Sequence, residues 1–257
     1  MRKIIQALYK INLFKRIVPS LLKIFIKLTK FNEVIVKKNN ISLILNLMNP
    51  IDREIYLKGN YEKEQINFLT DQIKKNNINL FIDVGAHMGF YSIIISKNHI
   101  LTYSFEPVKK NFEQLKRNKI YNNISNIFLH NIALSDEKKK IIMWVPDKEK
   151  TGGFSIYNIN DEELSKYNEK KTFKIESKSD LADNLMDFKD EKIAIKIDVE
   201  RHEKNVLNGM NKMLTQNNIL IQIELFNERK EEIFDYLKRI NFKHFHTIEK
   251  DFYFKNF

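Results

Sequence analysis

The sequence contains no cysteine among its 257 residues, so disulfides and cysteine-ligated metal sites are excluded. Long apolar runs are also lacking in the basic N-terminal segment, where no charge-free stretch is longer than that of Ile17–Leu22, which has six residues. A membrane-spanning helix needs about 20 consecutive apolar residues, so this segment is not predicted to cross a membrane. It has no small-residue cleavage pattern either, and we do not interpret it as a signal peptide.

Acidic residues are absent from residues 1–30, which carry eight Lys or Arg. The remaining residues are nearly balanced in charge, so the net charge of +11 belongs mostly to the N-terminus. Apolar side chains recur there at spacings of three and four, which predicts an amphipathic helix that Pro19 kinks or divides. The helix either lies on an anionic membrane surface or packs on its own domain or on a homodimer partner. We divide the chain into this segment, 1–30, and one domain, 31–257.

Glycine is scarce, with only six in the chain, yet two of them stand four apart at Gly85 and Gly89. They follow the apolar run that ends in Asp83, so the order predicts a buried strand, a tight turn and a helix start. Glycine permits turns and close ligand approach, which indicates a nucleotide-type cofactor loop. The spacing differs from the dinucleotide fingerprint, and no lysine follows as in a phosphate-binding P-loop.

Apolar runs alternate with helical stretches through the rest of the chain, which predicts an α/β fold with a parallel sheet. Strands are predicted at 33–37, 42–47, 80–84, 99–105, 126–131, 141–145, 193–198 and 219–225, with two more between 242 and 254. Helices are predicted at 65–75, 108–120, 179–186 (capped by Ser179), 202–214 and 228–240. A turn is predicted around Asn49-Pro50. Residues 147–178 are polar and read as a long loop of the kind that covers a site.

Three carboxylates fall at the ends of predicted strands: Asp83, Glu106 and Asp198. Ligands bind outside the carboxyl ends of the strands in an open α/β sheet. Glu106 lies 23 residues after Asp83, close to the offset at which an acid in nucleotide-binding folds accepts from both ribose hydroxyls. The alternative interpretation is that Glu106 is an exposed acid in a turn. A buried Asp83 needs a partner, which would be either a cationic ligand or the amides of the glycine turn. The other interpretation is that Asp83 has no ligand and only braces the turn.

A second polar cluster, Asp198 to Glu203, includes Glu200 and His202. Strand alternation would place Asp198 and Glu200 on one side, if the extended backbone continues that far. Glu203 has a simpler explanation as a favourable charge in the first turn of a helix. The cluster predicts a general base, with Asp198 or Glu200 first and His202 second.

Several blocks in the same order resemble the FkbM-type S-adenosylmethionine-dependent methyltransferases. These blocks are Gly59–Glu64, Phe81–Gly89, Ser104–Pro107 with Asn111 and Leu115, Asn131–Asp136, Gly153–Ser155, Ile195–Glu203 with Val206–Gly209, and Ile221–Glu224. They span about residues 50–225. The sequence departs from the family pattern at two positions. His87 stands where Asn is frequent, and Arg201 stands where Gly is frequent and a tight turn is expected.

The resemblance implies a Rossmann-like class I methyltransferase fold, with a seven-stranded, mostly parallel sheet, an antiparallel last strand and helices on both faces. It implies S-adenosylmethionine as the cofactor. Residues assigned to it are Asp83, Gly85, Ala86, His87, Gly89, Tyr91, Glu106, Pro107, Asn131 and Ala133. Residues assigned to catalysis are Asp198, Glu200 and His202, and those assigned to the substrate are Glu62, Ser155, Arg201 and Glu224. A divalent ion at Asp198, Glu200 and Glu224 is conceivable but not predicted.

The expected function is O-methylation of a hydroxyl on a sugar or glycan intermediate, of the surface polysaccharide or lipid-linked type. An RNA or another small-molecule methyltransferase is the alternative, as is a membrane-associated scaffold with a vestigial cofactor fold. Nucleic acid is disfavoured as a partner because the cations concentrate in an apolar segment instead of spreading over one face. The expected location is the cytoplasm, at the inner face of the membrane if residues 1–30 bind there.

Overall fold

The computed structural model describes residues 2–15, 17–38, 40–59, 61–145 and 173–257. The helices are α1 (Arg2–Lys10), α2 (Ile17–Thr29), α3 (Pro50–Lys58), α4 (Lys63–Lys75), α5 (Phe90–Ser96), α6 (Lys109–Tyr121), α7 (Ala182–Leu185), α8 (Glu203–Asn208), α9 (Asn211–Gln216) and α10 (Lys230–Arg239). The strands are β1 (Glu33–Lys38), β2 (Ile41–Asn46), β3 (Leu80–Val84), β4 (Leu101–Phe105), β5 (Ile127–His130), β6 (Ala133–Leu134), β7 (Lys139–Val145), β8 (Phe173–Asp180), β9 (Lys192–Ile197), β10 (Asn218–Glu224), β11 (Lys243–Ile248) and β12 (Asp251–Lys255).

Seven strands form the central sheet in the order β11-β12-β10-β9-β3-β4-β5. All of its neighbouring pairs are parallel except those that β12 makes with β10 and β11. The class I methyltransferase topology with one antiparallel strand is therefore confirmed. From β3 the chain passes to β4 and β5 on one side, and later places β9 on the other side. The topological switch point, where open α/β sheets bind ligands, lies between β3 and β9.

Helices cover both faces of this sheet because alternate residues of its strands are apolar in both directions. One face of β3 and β9 packs with α8, α9 and α10, through Leu80, Ile82, Val84, Ile193, Ile195, Ile197, Val206, Leu214 and Leu237. The other face packs with α4 and α5, through Phe81, Ala194, Ile66, Leu69, Ile73 and Ile95. The two cores hold β3 and β9 rigidly, and the segments that follow both strands are positioned accordingly.

A row of buried polar side chains crosses the sheet near the carboxyl ends of β3, β4, β9 and β10. The strand registers align Ser104, Asp83, Lys196, Gln222 and Tyr253 on five neighbouring strands. Each is less than a tenth exposed. Buried polar groups are costly unless they are bonded to one another. A polar row at this position therefore indicates the floor of a site, and it lies on the α4–α5 side of the sheet.

Two smaller sheets flank the central one. The hairpin β1–β2 is tied to α6, because Asn118 Oδ1 accepts from Ile44 N at 2.7 Å and Asn122 Oδ1 accepts from Ser42 N at 2.9 Å. The other small sheet has the order β6-β8-β7. Its strand β8 begins inside the predicted loop 147–178, of which residues 147–172 lie outside the described residues.

Some sequence predictions about local structure are incomplete or wrong. The turn predicted around Asn49-Pro50 is present, with Asn49 N donating to Asn46 O at 2.8 Å, but the sequence did not predict that helix α3 follows it directly. Asn49 Oδ1 accepts from Ile51 N at 3.1 Å, and Pro50 occupies a first-turn position where no amide is needed. Ser179 does not cap a helix; it lies in β8 and bonds Glu137 O at 2.7 Å. The helix predicted over 202–214 is divided into α8 and α9 at Gly209.

The N-terminal segment folds into α1 and α2, joined by a short 3₁₀ turn at Asn12–Phe14. The sequence predicted a kink or division at Pro19, but the division falls before α2. Pro19 occupies the first turn of α2, where its missing N–H has no intrahelical partner to lose. Gln6 Nε2 of α1 donates to Tyr56 O of α3 at 2.7 Å, so the segment packs on the adjoining domain. None of the described helices is long and apolar enough to cross a membrane.

Candidate active site

The glycine turn after β3 brings the ends of β3 and β9 together. Gly85 and Gly89 both have left-handed backbones, with φ of 84° and 88°. A Cβ on Gly85 would meet the carbonyl oxygen of Asp198 at 1.9 Å, and one on Gly89 would meet Leu115 Cδ1 at 2.2 Å. These glycines are therefore required by neighbouring protein atoms, whatever ligand the turn also holds.

Asp83 braces this turn from beneath. Its Oδ2 accepts from the Ser92 amide at 3.1 Å and from the Ser92 hydroxyl at 2.5 Å, and Ser92 Oγ lies 2.7 Å from Ser104 Oγ. The partners are in α5 and not the amides of the Gly85–Gly89 turn that the sequence suggested. Burial raises the pKa of Asp83. The brace fixes the start of α5 against the end of β3.

Glu106, at the end of β4, is a buried carboxylate held by backbone amides. Its Oε2 accepts from His87 N and its Oε1 from Val108 N, both at 2.8 Å. Burial outweighs these bonds and raises the pKa of Glu106 to about 7. Asn131 Nδ2 donates to the Glu106 carbonyl at 2.8 Å and holds the same segment. Oε1 also accepts from Asn111 Nδ2 at 3.4 Å, so Oε2 is the oxygen that keeps a second lone-pair direction for a ligand hydroxyl.

A pocket opens above Glu106, which we call the first pocket. Residues that line it include Gly85, His87, Glu106, Pro107, Val108, Ile132, Ala133, Met143, Asp198, Glu200 and His202. One part of the wall is apolar and suits a flat base, and the buried carboxylate of Glu106 beside it suits a vicinal diol. The residues present therefore fit an adenosine group, because the Glu106 carboxylate can accept from a diol and Ile132 and Met143 offer apolar surface to a base.

Lys196, a buried lysine of β9, holds Asp198 in its ionised form. Its Nζ lies 2.8 Å from Asp198 Oδ2 and 4.7 Å from the centroid of the Tyr91 ring. Burial alone would lower the pKa of this ammonium, but surrounding carboxylates raise it above its ordinary value: Asp198, Glu62, Asp83 and Asp251. Burial alone would likewise raise the pKa of Asp198, yet the charge of Lys196 holds it below its ordinary value.

Glu224, at the end of β10, shares a hydrogen bond with Asp198. Burial and the negative charge of Asp198 raise the pKa of Glu224 to about 8. At neutral pH the proton of this pair therefore rests on Glu224, and Asp198 carries the charge.

A second pocket lies on the other side of Asp198, which is the residue common to both linings. The described residues around this second pocket are Tyr9, Lys15, Glu54, Leu57, Lys58, Tyr61, Glu62, Lys63, Glu64, Gln65, Asn67, Lys196, Asp198, Glu224, Glu249, Lys250 and Asp251. Carboxylates outnumber ammonium groups in that lining. Such a surface offers many hydrogen-bond acceptors and disfavours an anionic ligand.

The turn after β9 contains Glu200, Arg201 and His202. Strand β9 ends at Ile197, and Glu200 and Arg201 have left-handed φ of 51° and 74°. The extended backbone that would put Asp198 and Glu200 on one side is therefore absent. Burial and the charge of Asp198 raise the pKa of Glu200 to about 7. Burial lowers the pKa of His202 to about 4, so its ring, 2.9 Å from Ser135 Oγ, is neutral at physiological pH and a weak base.

The tight turn expected at position 201 is present although the residue is arginine and not glycine. The backbone of Arg201 has the left-handed conformation that favours glycine. We expect Arg201→Gly to be more stable than Arg201→Ala by about 0.5–1 kcal/mol, because glycine removes the left-handed strain at a smaller entropic cost. Both variants lose the guanidinium, so the difference isolates the backbone effect. Thermal unfolding measures it, as a gap of about 1–4 °C in Tm. Equal Tm values would show that the turn is unstrained.

The structure brings most of the sequence-assigned residues to the two pockets, but not all. Asp83, Ala86, Gly89, Tyr91 and Asn131 do not line the first pocket and support it from behind or beside it. Glu62 and Glu224 line the second pocket, whereas Arg201 lines neither, and Ser155 lies outside the described residues. Among the described residues, no group of three or more His, Asp or Glu is arranged to hold a metal ion.

Sequence reasoning gave no role to Lys196, Tyr61, Gln222 or Asp251. Gln222 Nε2 donates to Asp251 Oδ1 at 2.7 Å and to Tyr91 Oη at 3.2 Å, which links β10, β12 and α5. A lysine and a glutamine inside otherwise apolar strands were the available signal, because neither is buried without a partner.

The strand order and a pocket at the switch point define a class I methyltransferase. Residues 83–244, more than half of the chain, match the family model described as the methyltransferase FkbM domain, and the chain belongs to that family. It is accordingly an S-adenosylmethionine-dependent methyltransferase. No curated protein matches the sequence.

The chain is similar to solved structures, two of which follow. TYW2 of M. jannaschii, crystallised with AdoMet, is 13% identical, with 87% of this chain and 84% of that chain covered and a TM-score of 0.45. The methyltransferase FkbM of Methylobacillus flagellatus is 14% identical, with 79% of this chain and 52% of that chain covered and a TM-score of 0.45. The chain thus spans about half of the latter protein.

Proposed function

We propose that this methyltransferase transfers a methyl group to a hydroxyl of a sugar or glycan intermediate, of the surface polysaccharide or lipid-linked type. The observation that carries the proposal is the carboxylate-rich second pocket, which meets the first pocket at Asp198. Carboxylate oxygens accept hydrogen bonds, and a polyol offers a donor on nearly every carbon. Glu62, Glu224 and Asp251 are therefore the groups proposed to orient the acceptor.

Residues of the first pocket are proposed to bind the cofactor. Glu106 accepts from the ribose hydroxyls, Ile132 and Met143 flank the adenine, and the Gly85 turn lies where the remainder extends toward Asp198. Bound S-adenosylmethionine supplies an activated methyl group, so positioning of the acceptor hydroxyl accounts for much of the rate. The ionised Asp198, common to both pockets, is the group proposed to lie nearest the reacting atoms.

The acceptor hydroxyl also loses a proton, and the Asp198–Glu224 pair is proposed to take it. An ordinary carboxylate with a pKa of about 4 is a weak base toward a hydroxyl. Once Glu224 has lost its own proton, the pair accepts one with a pKa of about 8, which is much better matched to the task. Lys196 keeps the single remaining charge in place when the pair is protonated.

RNA methylation is the competing function. Phosphates bind where Lys and Arg line a surface in excess. Here the lining beside Asp198 has the opposite balance, and its buried ammonium, Lys196, is already paired with Asp198. The charge of the second pocket therefore favours a neutral polyol over a polyanion.

Mass spectrometry of surface glycans and lipid-linked sugars, from cells with and without the gene, tests the proposal. We expect one sugar to lose a methyl group when the gene is absent, and to regain it with the wild-type gene but not with Asp198→Asn. Cells expressing Glu113→Gln, a change on the exposed side of α6, serve as the matched control and should keep the methyl group. Unchanged glycans together with a lost RNA methyl group would assign the enzyme to RNA.

A further inference from the structure

Helix α2 carries two apolar stripes, and its own domain uses only one of them. Val18 and Ile26 point inward and are buried. The second stripe is exposed and follows the helical repeat over three turns: Ile17, Leu21, Ile24, Phe25 and Leu28. Leu21 is 59% exposed and Leu28 is 79% exposed. Contiguous exposed apolar surface on this scale marks an interaction site.

The exposed stripe continues beyond α2. Leu8 and Ile11 at the end of α1, Leu13 in the 3₁₀ turn, and Phe31 after α2 are exposed as well. We call these residues, together with the exposed stripe of α2, the docking surface. An apolar groove adjoins it between α1, α2 and the hairpin, with Ile5, Leu22, Val34, Leu47 and Tyr56 among its lining. A groove of that composition suits an acyl chain.

Charge distinguishes the candidate occupants of the docking surface. Residues 1–30 carry eight Lys or Arg and no Asp or Glu, and Lys23 and Lys27 lie on α2 beside the exposed stripe. A second copy of the chain would bring the same cations face to face, which is unfavourable. A bilayer with anionic lipids offers apolar contact and opposite charge together.

We propose that the docking surface binds an anionic lipid bilayer, with the exposed stripe of α2 in the headgroup region. The same segment reaches the active site from its other side, because Tyr9 and Lys15 line the second pocket. Docking therefore sets the second pocket beside the bilayer. The binding itself does not depend on what the acceptor is, and it can be measured without methyl transfer.

Vesicle co-sedimentation of the full chain tests the proposal, with phosphatidylcholine vesicles compared with vesicles that also contain phosphatidylglycerol. We expect at least about tenfold stronger binding to the anionic vesicles. The double variant Leu21→Glu/Leu28→Glu should lose at least about tenfold of that binding, because it places charge in the apolar stripe. The triple variant Lys23→Gln/Lys27→Gln/Lys30→Gln removes three of the eight cations of residues 1–30 and should lower the preference for anionic vesicles by at least about tenfold.

Ile120→Glu is the matched control, since Ile120 is 64% exposed on α6, outside the docking surface. It should bind anionic vesicles as the wild type does. Thermal unfolding and S-adenosylmethionine binding confirm that each variant is folded. Wild-type protein that stays in the supernatant, or a Leu21→Glu/Leu28→Glu variant that sediments normally, would overturn the proposal. So would a wild-type dimer that the double variant dissociates without any vesicle binding, because the surface would then join two copies.

Discussion

Replacement of Glu224 by glutamine is expected to lower kcat by about 10²- to 10³-fold, the usual loss for a group that takes part in proton transfer. Glutamine preserves the shape and can still donate to Asp198, but it cannot take up a proton. The wild-type rate should rise with pH and level off above the pKa of about 8 that burial and Asp198 impose on Glu224. That rising limb should disappear in Glu224→Gln. Steady-state rates between pH 6 and 9, with saturating S-adenosylmethionine, measure both effects.

Two comparisons make this result specific. Affinity for S-adenosylmethionine should change by less than about threefold in Glu224→Gln, because Glu224 lines only the second pocket. Glu200→Gln is the informative partner, since Glu200 lines only the first pocket and has a raised pKa of about 7. If Glu200→Gln removes the rising limb and Glu224→Gln retains it, Glu200 is the base and the Asp198–Glu224 pair is not.

The sheet and the cofactor loop were predictable because each depends on short stretches of sequence. The apolar runs of β3, β4, β9 and β10, separated by helices, specify a parallel sheet, and the Asp83–Gly89 block specifies the turn. The place of Glu106 at the end of a strand was predictable from the apolar run before it, whereas its role toward the ribose stays a prediction. These features need no knowledge of which strands become neighbours.

The chemistry beside Asp198 was less predictable because it depends on strand register. Glu224 reaches Asp198 only because β10 pairs with β9, and Lys196 meets Asp83 only because β9 pairs with β3. The sequence shows four separate charged residues, and the strand order joins them into one network. A local pattern likewise could not show that the backbone turns left-handed at Glu200, or that Glu200 and Asp198 line the first pocket together without an extended strand between them.

Local propensity also failed where distant contacts decide a helix end. The helix over 202–214 divides at Gly209, where a Cβ would meet Ser135 O at 1.9 Å, so the packing of another segment sets the break. Helix α3 was missed for a different reason: its cap is local, with Asn49 Nδ2 donating to Asp52 Oδ1 at 2.7 Å, but its apolar periodicity is weak. Pro19 was predicted to break the helix, but proline is tolerated in the first turn of a helix, which is where Pro19 lies.

Replacement of Glu106 by glutamine is expected to weaken S-adenosylmethionine binding by about 10- to 100-fold, which corresponds to about 1.4–2.8 kcal/mol. The glutamate accepts from His87 N and Val108 N through different oxygens. A glutamine has one acceptor oxygen, so its NH₂ group must face one of these amides and cannot accept from the ribose. Isothermal titration calorimetry at pH 8 measures the change. Glu113→Gln, an exposed change on neighbouring α6, should bind as the wild type does.

The pH dependence of wild-type binding gives a second, independent readout of Glu106. Burial raises its pKa to about 7, so the group is protonated below that pH and must lose its proton before it can accept from two hydroxyls. By linkage, S-adenosylmethionine affinity should fall about tenfold per pH unit below 7 and be constant above 8. In Glu106→Gln this dependence should vanish, whereas in Glu113→Gln it should persist. A wild-type affinity that is the same at pH 6 and pH 8 would show that Glu106 does not bind the cofactor as a carboxylate.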